Sequence, residues 1–155
     1  LLIEAMFVLE TLAPARLQAD RFLPPTPLRI MVNHKKESLT LDLPKLEKGA
    51  PYKLLDNPKI NREILPGMLK AAMSFAEEQA QAIIGESSKT MTRQLQAEID
   101  RLTSLRKVND HVRPEEIELA RKQLVRLTSA LAQSRMRLDA VRLIWKGSPE
   151  SIGGA

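Results

Sequence analysis

Residues 28–43 read LRIMVNHKKESLTLDL and consist of two apolar runs separated by a polar segment. The runs Leu28–Val32 and Ser38–Leu43 have the length and composition of strands, and residues 33–37 form a connection of hairpin length. So short a connection requires the two strands to be antiparallel. The segment therefore predicts a β-hairpin.

Residues 1–10 predict a further strand upstream of this hairpin. Side chains alternate there with the period of a strand that has one well-buried face, Ile3, Ala5, Phe7 and Leu9, and one mixed face, Glu4, Met6, Val8 and Glu10. We expect partial cover of the mixed face. Prolines at positions 14, 24, 25 and 27 interrupt any regular ladder between the two segments, because proline lacks the backbone N–H. Residues 1–65 thus predict a small antiparallel sheet of about three strands with proline-rich loops.

The chain beyond the hairpin changes from strand to helix patterns. Residues 44–57 have no sustained period and predict a loop. Asn57 is a good N-cap, and Pro58 suits the first helical position, so a short helix is predicted to about Leu65. Pro66 and Gly67 are expected to break or redirect that helix.

A long helical hairpin is predicted for residues 66–146. Apolar residues recur in steps of three and four from Met68 to Leu105, with a weak polar centre at Gly85–Thr90, and residues 109–113 form a turn before a last helix that starts at Pro114. Two sets of residues in that last helix repeat every seven positions, as in coiled coils: Ile117, Leu124, Leu131, Leu138 and Trp145, and Ala120, Leu127, Ser134 and Val141. Folding back on the preceding helix satisfies this seam, and so does a dimer with a second copy. Residues 147–155 read as a flexible tail, and the fold class is α+β.

Composition limits the classes of function. The chain has 24 Lys and Arg against 19 Asp and Glu, a net charge of +5, and no cysteine. The longest apolar run, Leu1–Leu9, contains Glu4 and is too short to span a membrane. His34 and His111 lie in separate predicted turns, and Gly85–Thr90 lacks the second glycine and the preceding strand of a phosphate-binding loop. We therefore predict no catalytic, cofactor or metal site.

Basic residues are the candidate partner-binding sites. They fall into two clusters: Arg16, Arg21, Lys35 and Lys36, and then Arg121, Arg126, Arg135, Arg137 and Arg142. One interpretation is pairing across the helical hairpin with Glu77, Glu86, Glu98 or Asp100. The other is a basic strip for a polyanionic partner, such as nucleic acid or an acidic patch of a large assembly, since clustered Arg and Lys neutralise negative charge. Arg21 and Phe22 equally fit a docking loop or an anchoring core contact.

Three segments resemble one family. Leu17–Val32, LQADRFLPPTPLRIMV, is the most specific, and Leu102–Asn109, LTSLRKVN, and Arg137–Ile144, RLDAVRLI, follow in the same order. The chain resembles the C-terminal region of the RapA family of bacterial RNA polymerase-associated ATPases.

The resemblance implies a role for the parent protein more than for this part of it. The parent is expected to be a cytoplasmic Swi2/Snf2-type ATPase that binds core RNA polymerase and DNA and promotes polymerase recycling. Its motor, with ATP and Mg²⁺, is expected upstream, and this fragment is expected to be non-catalytic. The fragment then serves as an interaction module for polymerase or nucleic acid, or as a structural brace that packs on the ATPase lobes.

Overall fold

The computed structural model describes residues 1–43 and 52–147, and for Tyr52 and Lys53 the backbone only. The fold is α+β, as predicted. The elements in chain order are β1 Leu2–Glu10, β2 Thr26–Asn33, β3 Ser38–Leu39, α1 Tyr52–Leu55, α2 Leu65–Arg106, α3 Pro114–Ala132 and β4 Arg135–Ile144. Two 3-10 turns, Ala15–Leu17 and Ala19–Arg21, follow β1. The strands form one sheet in the order β3-β2-β1-β4.

The predicted hairpin is confirmed by β2 and β3, but its second strand is shorter than predicted. Asn33 holds the turn, since its Oδ1 accepts hydrogen bonds from the backbone N–H groups of Lys35 and Glu37, both at 2.9 Å. Lys36 takes a left-handed conformation with φ of 67°. β3 ends at Leu39, where it pairs antiparallel with Met31, so its predicted extension to Leu43 is wrong. Leu41, beyond the end of β3, is exposed, so a longer strand would not be stabilised by burial of this side chain.

The segment before α2 differs from its prediction. The predicted loop 44–57 is helical at α1, and its residues 44–51 lie outside the described residues. Asn57 acts as the predicted cap, since its Oδ1 accepts from the N–H of Lys59 at 3.0 Å. The helix does not break at Pro66 and Gly67, because a π-helical turn, Ile60–Ile64, runs directly into α2. The wider turn offers a way to place the proline ring without a clash against the preceding carbonyls.

The predicted long helix is confirmed as α2, which continues through Gly85–Thr90. The last helix begins at Pro114 as predicted, but its predicted end at residue 146 is wrong, because α3 ends at Ala132 and the chain then forms β4. Beyond Leu131, the residues of the seven-residue repeat therefore no longer lie on one side of a helix. Ser134 marks the change: its hydroxyl hydrogen-bonds with that of Thr11 at 2.7 Å.

The chain clusters into two compact units. Unit 1 contains residues 1–8 and the described parts of 27–79 and 138–155, and unit 2 contains 9–26 and 80–137. The core of unit 1 comprises Ile3, Ala5, Phe7, Leu28, Ile30, Met31, Val32, Leu54, Met68, Ala72, Ala76 and Ile144, and that of unit 2 comprises Leu9, Ala19, Leu23, Ala80, Ile84, Met91, Ile99, Ile117, Leu127 and Leu131. The predicted burial of the first face of β1 is confirmed. The proposed division of the chain at residue 65 and the dimer through the hairpin stay predictions, and the predicted tail, apart from Gly147, lies outside the described residues.

None of the helices in the described ranges is long and apolar enough to cross a membrane.

Candidate partner-binding surface

Lys35 and Lys36 occupy the tip of the β2–β3 hairpin in unit 1, and both are exposed. The side chain of Lys36 runs over Gly67: a Cβ at that glycine would lie 3.0 Å from the Cε of Lys36. The missing side chain at Gly67 thus permits a close approach. Asn33 bonds to two backbone N–H groups of the turn, so the two lysines are carried by an ordered loop.

Arg142 of β4 is paired within unit 1. Its Nη1 lies 3.2 Å from Glu4 Oε2, and Arg29 of β2 donates from Nε to Glu4 Oε1. The carboxylate lies between guanidinium groups of the two strands that flank β1. The Glu4 side chain is only 7% exposed, whereas those of Arg29 and Arg142 are 44% and 63% exposed. A charge on the mixed face of β1 is thereby neutralised where water scarcely reaches it.

Arg135 and Arg137 converge on Glu10 within unit 2. Their Nε atoms lie 3.6 Å and 3.9 Å from Glu10 Oε1, distances of ion pairs rather than short hydrogen bonds. Glu10 is half-buried and both arginines are exposed. Each acid thus holds two guanidinium groups.

The predicted pairing of these arginines with acids of the helices is therefore wrong for Arg135 and Arg142. The helical acids find local partners on α2 instead. Glu86 Oε1 accepts from Lys89 Nζ at 2.8 Å, and Glu98 accepts two hydrogen bonds from Arg101. The strand assignment explains the difference, because it removes Arg135, Arg137 and Arg142 from the heptad positions that would have faced those acids.

Arg16, Arg21, Arg121 and Arg126 form the remaining set, which we call the turn–helix basic surface. All four are exposed in unit 2, and in the part of the chain that the structure describes none has an ion-pair partner. Arg16 and Arg21 lie on the two 3-10 turns, and both turns contact α3, which carries Arg121 and Arg126.

The arginines of this surface are spread out and do not converge on one point. Arg121 and Arg126 are five residues apart on α3, so they point roughly 140° apart around the helix and flank its exposed side. The guanidinium carbon of Arg21 lies 5.2 Å from the centroid of the Phe22 ring, a cation–π contact. Phe22 is half-buried, so it anchors the turn and supports the exposed arginine at once.

Sequence reasoning missed Arg29 and Glu4 as a charged pair. The available signal was a charged residue in the interior of each of two apolar strand patterns, at positions where charge is costly without a partner. In the described ranges no group of three or more His, Asp or Glu residues is placed to hold a metal ion.

Comparison with known proteins identifies the family. A model of the RNA polymerase recycling family C-terminal region matches residues 1–146. The chain belongs to this RapA C-terminal family. Proteins named RNA polymerase-associated protein RapA from Haemophilus influenzae strain PittEE, Pectobacterium carotovorum and Serratia proteamaculans are each 33% identical to it over 153 residues. The alignment covers 93% of this chain in each case.

The RapA C-terminal chain spans 16% of the length of these relatives. The family resemblance predicted from Leu17–Val32 and the two later segments is confirmed by these matches. The names of the relatives state an association with RNA polymerase and do not assign that association to particular residues.

Proposed function

We propose that this RapA C-terminal chain is a docking module for RNA polymerase and that the turn–helix basic surface makes the contact. The proposal is supported by the family, whose description is RNA polymerase recycling, and by the distribution of paired and unpaired arginines. The contact would be one of charge complementarity with an acidic surface of the polymerase.

One observation carries the proposal. Arg135 and Arg142 are bound to acids of β1, whereas the four arginines of the turn–helix basic surface are exposed without an ion-pair partner in the described ranges. A guanidinium group has five N–H donors, and one without an internal acid can present them to a partner without first breaking a pair. The chemistry thus separates arginines that hold the fold together from arginines that can bind a partner.

The role of the whole protein belongs to the same proposal. We infer a bacterial, cytoplasmic, Swi2/Snf2-type ATPase that binds DNA, uses ATP and Mg²⁺ in a motor elsewhere in its sequence, and promotes polymerase recycling. The present chain would contribute binding and no catalysis, and it would also contact the motor lobes.

A second candidate function is a structural brace on those motor lobes. It is favoured by the pairing of Glu4 with Arg29 and Arg142, which uses charge to join three neighbouring strands. A brace of this kind needs no polymerase contact.

A binding experiment separates the two functions. The 155-residue chain is titrated against core RNA polymerase over a salt series, with a DNA duplex alone as control. The test variant carries Arg121→Glu and Arg126→Glu, and the matched control carries Arg62→Glu and Lys70→Glu, two exposed cations outside the surface, so that both variants change the net charge equally.

We expect saturable binding that weakens with salt and becomes about tenfold weaker in the test variant, because each reversed rim charge removes about 0.5–1 kcal/mol. The control variant should bind like the parent chain. Equal weakening in both variants would refute the assignment to the turn–helix basic surface. No binding of the parent chain to polymerase would favour the brace.

A further inference from the structure

The outer side of α3 carries exposed apolar side chains as well as arginines. Its inner side is buried through Ile117, Leu127 and Leu131, and a surface helix of this kind is ordinarily polar on its other side. Leu119 and Val125 are nevertheless 64% and 69% exposed. One such residue is ordinary, but these two lie within about 9 Å of each other along one helix. The charge contact proposed above gives them no role.

These two side chains lie beside the unpaired arginines. Residues three or four apart on a helix are neighbours, so Val125 lies next to Arg121. Lys122 is three residues from both Leu119 and Val125, and Arg126 follows Lys122 at four. Arg121 and Arg126 have no ion-pair partner in the described part of the chain. Apolar side chains and unpaired guanidinium groups therefore occupy one continuous side of α3.

The charges of α3 are divided along its length. All of its acids lie in the first two turns, at positions 115, 116 and 118, and Glu118 Oε1 is 3.9 Å from Lys122 Nζ. The unpaired arginines follow from residue 121 onward. An acidic partner is therefore attracted to the part of the helix beyond these acids and repelled by its start.

The chemistry of this side indicates what kind of element binds it. Unpaired guanidinium groups bind carboxylates and phosphates. The phosphate backbone of a nucleic acid offers no apolar group to pack on Leu119 and Val125, whereas a protein helix offers both kinds of contact. An amphipathic helix presents apolar side chains at spacings of three and four with charged side chains on either flank, and helices pack along one another through such rows. An acidic amphipathic helix thus matches the charge and the apolar side chains together.

We propose that the element which binds the turn–helix basic surface is an acidic amphipathic helix of the partner, packed along residues 119–126 of α3. Its apolar side chains would cover Leu119 and Val125, and its carboxylates would pair with Arg121 and Arg126. This inference rests on the proposed function, because it names the element that RNA polymerase presents to that surface.

The first test removes the apolar contact and leaves every charge in place. The test variant carries Leu119→Gln and Val125→Gln, and the matched control carries Leu41→Gln and Val108→Gln, an exposed leucine and an exposed valine elsewhere. Binding to core RNA polymerase is measured over a salt series. We expect the test variant to bind at least about fivefold more weakly at every salt concentration, because salt screens charges and not apolar contacts. The control variant should bind like the parent chain.

The second test uses a peptide as the helix. The probe is a capped peptide of Glu, Ala and Leu, with leucines at spacings of three and four and glutamates on both flanks, and its helicity is verified by circular dichroism. One control peptide has glutamine in place of every glutamate, and the other has two central prolines that prevent the helix. Binding to the 155-residue chain is measured by the anisotropy of a label. We expect each control peptide, and the probe with the glutamine variant of α3, to bind at least about fivefold more weakly.

The two tests distinguish failure of this inference from failure of the proposed function. Polymerase binding that is weakened by Arg121→Glu with Arg126→Glu but unchanged by Leu119→Gln with Val125→Gln would overturn the helix and retain the docking module. No binding of the acidic peptide, or equal binding of the proline peptide, would also overturn the helix. Binding of the acidic peptide without binding of polymerase would refute polymerase as the partner and retain the chemistry of the surface. Should the glutamine variant lose helix content, alanine at the same two positions tests the same contact.

Discussion

Glu4, Arg29 and Arg142 form a charged cluster in which only the carboxylate is buried. This difference in burial determines which substitution lowers the free energy of unfolding most. The Glu4 side chain is 7% exposed, and the guanidinium groups of Arg29 and Arg142 remain largely in water. Glu4→Gln removes the buried charge and leaves two arginines that water can solvate. The loss of two charge-assisted bonds with exposed donors then lowers the free energy of unfolding by about 1–2 kcal/mol.

Removing the arginines should cost more. The double variant Arg29→Gln with Arg142→Gln leaves a buried carboxylate without these partners, and breaking a buried pair in this way costs about 3–5 kcal/mol. Adding Glu4→Gln to the double variant removes the stranded charge, so the triple variant should regain about 2 kcal/mol.

Urea unfolding followed by tryptophan fluorescence measures these differences. Trp145 is the only tryptophan of the chain, it follows β4 directly, and its Nε1 atom is buried, so its emission reports on unit 1. With a slope of about 1–3 kcal/mol per M urea, a loss of about 3 kcal/mol lowers the midpoint by roughly 1–3 M. A triple variant less stable than the double variant would show that the carboxylate is not the group that needs compensation, and the reasoning would fail.

Three further predictions concern unit 2, and for these urea unfolding is followed by far-UV circular dichroism, because Trp145 lies in unit 1. Gly85→Ala should raise the free energy of unfolding by about 0.5–1 kcal/mol, because an added Cβ meets nothing within 4 Å in α2 and alanine favours helix; a lower urea midpoint would contradict this. Leu127→Ala should lower it by about 2–5 kcal/mol because Leu127 is fully buried, and Val125→Ala on the exposed side of α3 should change it by less than about 0.5 kcal/mol in the same assay. The hydrogen bond from Lys89 lowers the pKa of Glu86, so this pair contributes to stability above the unfolded-state pKa of Glu86 and ceases to do so as the pH falls through the folded-state pKa. Lys89→Met should therefore raise the pKa of Glu86 in an NMR titration, and an unchanged pKa would refute the assignment of this hydrogen bond.

The elements that sequence patterns predicted well are those set by local chemistry. The alternation in residues 1–10 predicted the buried face of β1, and the polar segment 33–37 predicted the hairpin turn. Asn57 and Pro114 predicted helix starts, because a cap and a proline act through their own backbone neighbourhood. These features need no knowledge of the rest of the chain.

The error at β4 has a physical origin. No glycine or proline separates Leu131 from Leu138, so the sequence gives no local stop signal for α3. Leucines seven residues apart fit a helix, and the alternation within Arg135–Ile144 fits a strand equally well. The choice depends on pairing with β1, which lies at the other end of the chain, and such nonlocal pairing overrides local preference.

The prediction of a helix at residues 135–144 also concealed the difference between arginines that are paired with acids and arginines that are not. Read as a helix, Arg135 and Arg142 share one side with Arg121, and all three form a single strip. In a strand beside β1, the first two form ion pairs with Glu10 and Glu4, and of the three only Arg121 has no ion-pair partner among the described residues. A count of basic residues therefore overstates the charge available to a partner, because an arginine paired with an acid of its own sheet must give up that pair before it can bind elsewhere. The assignment of Arg135–Ile144 as a strand thus determines which arginines any test of polymerase binding should change.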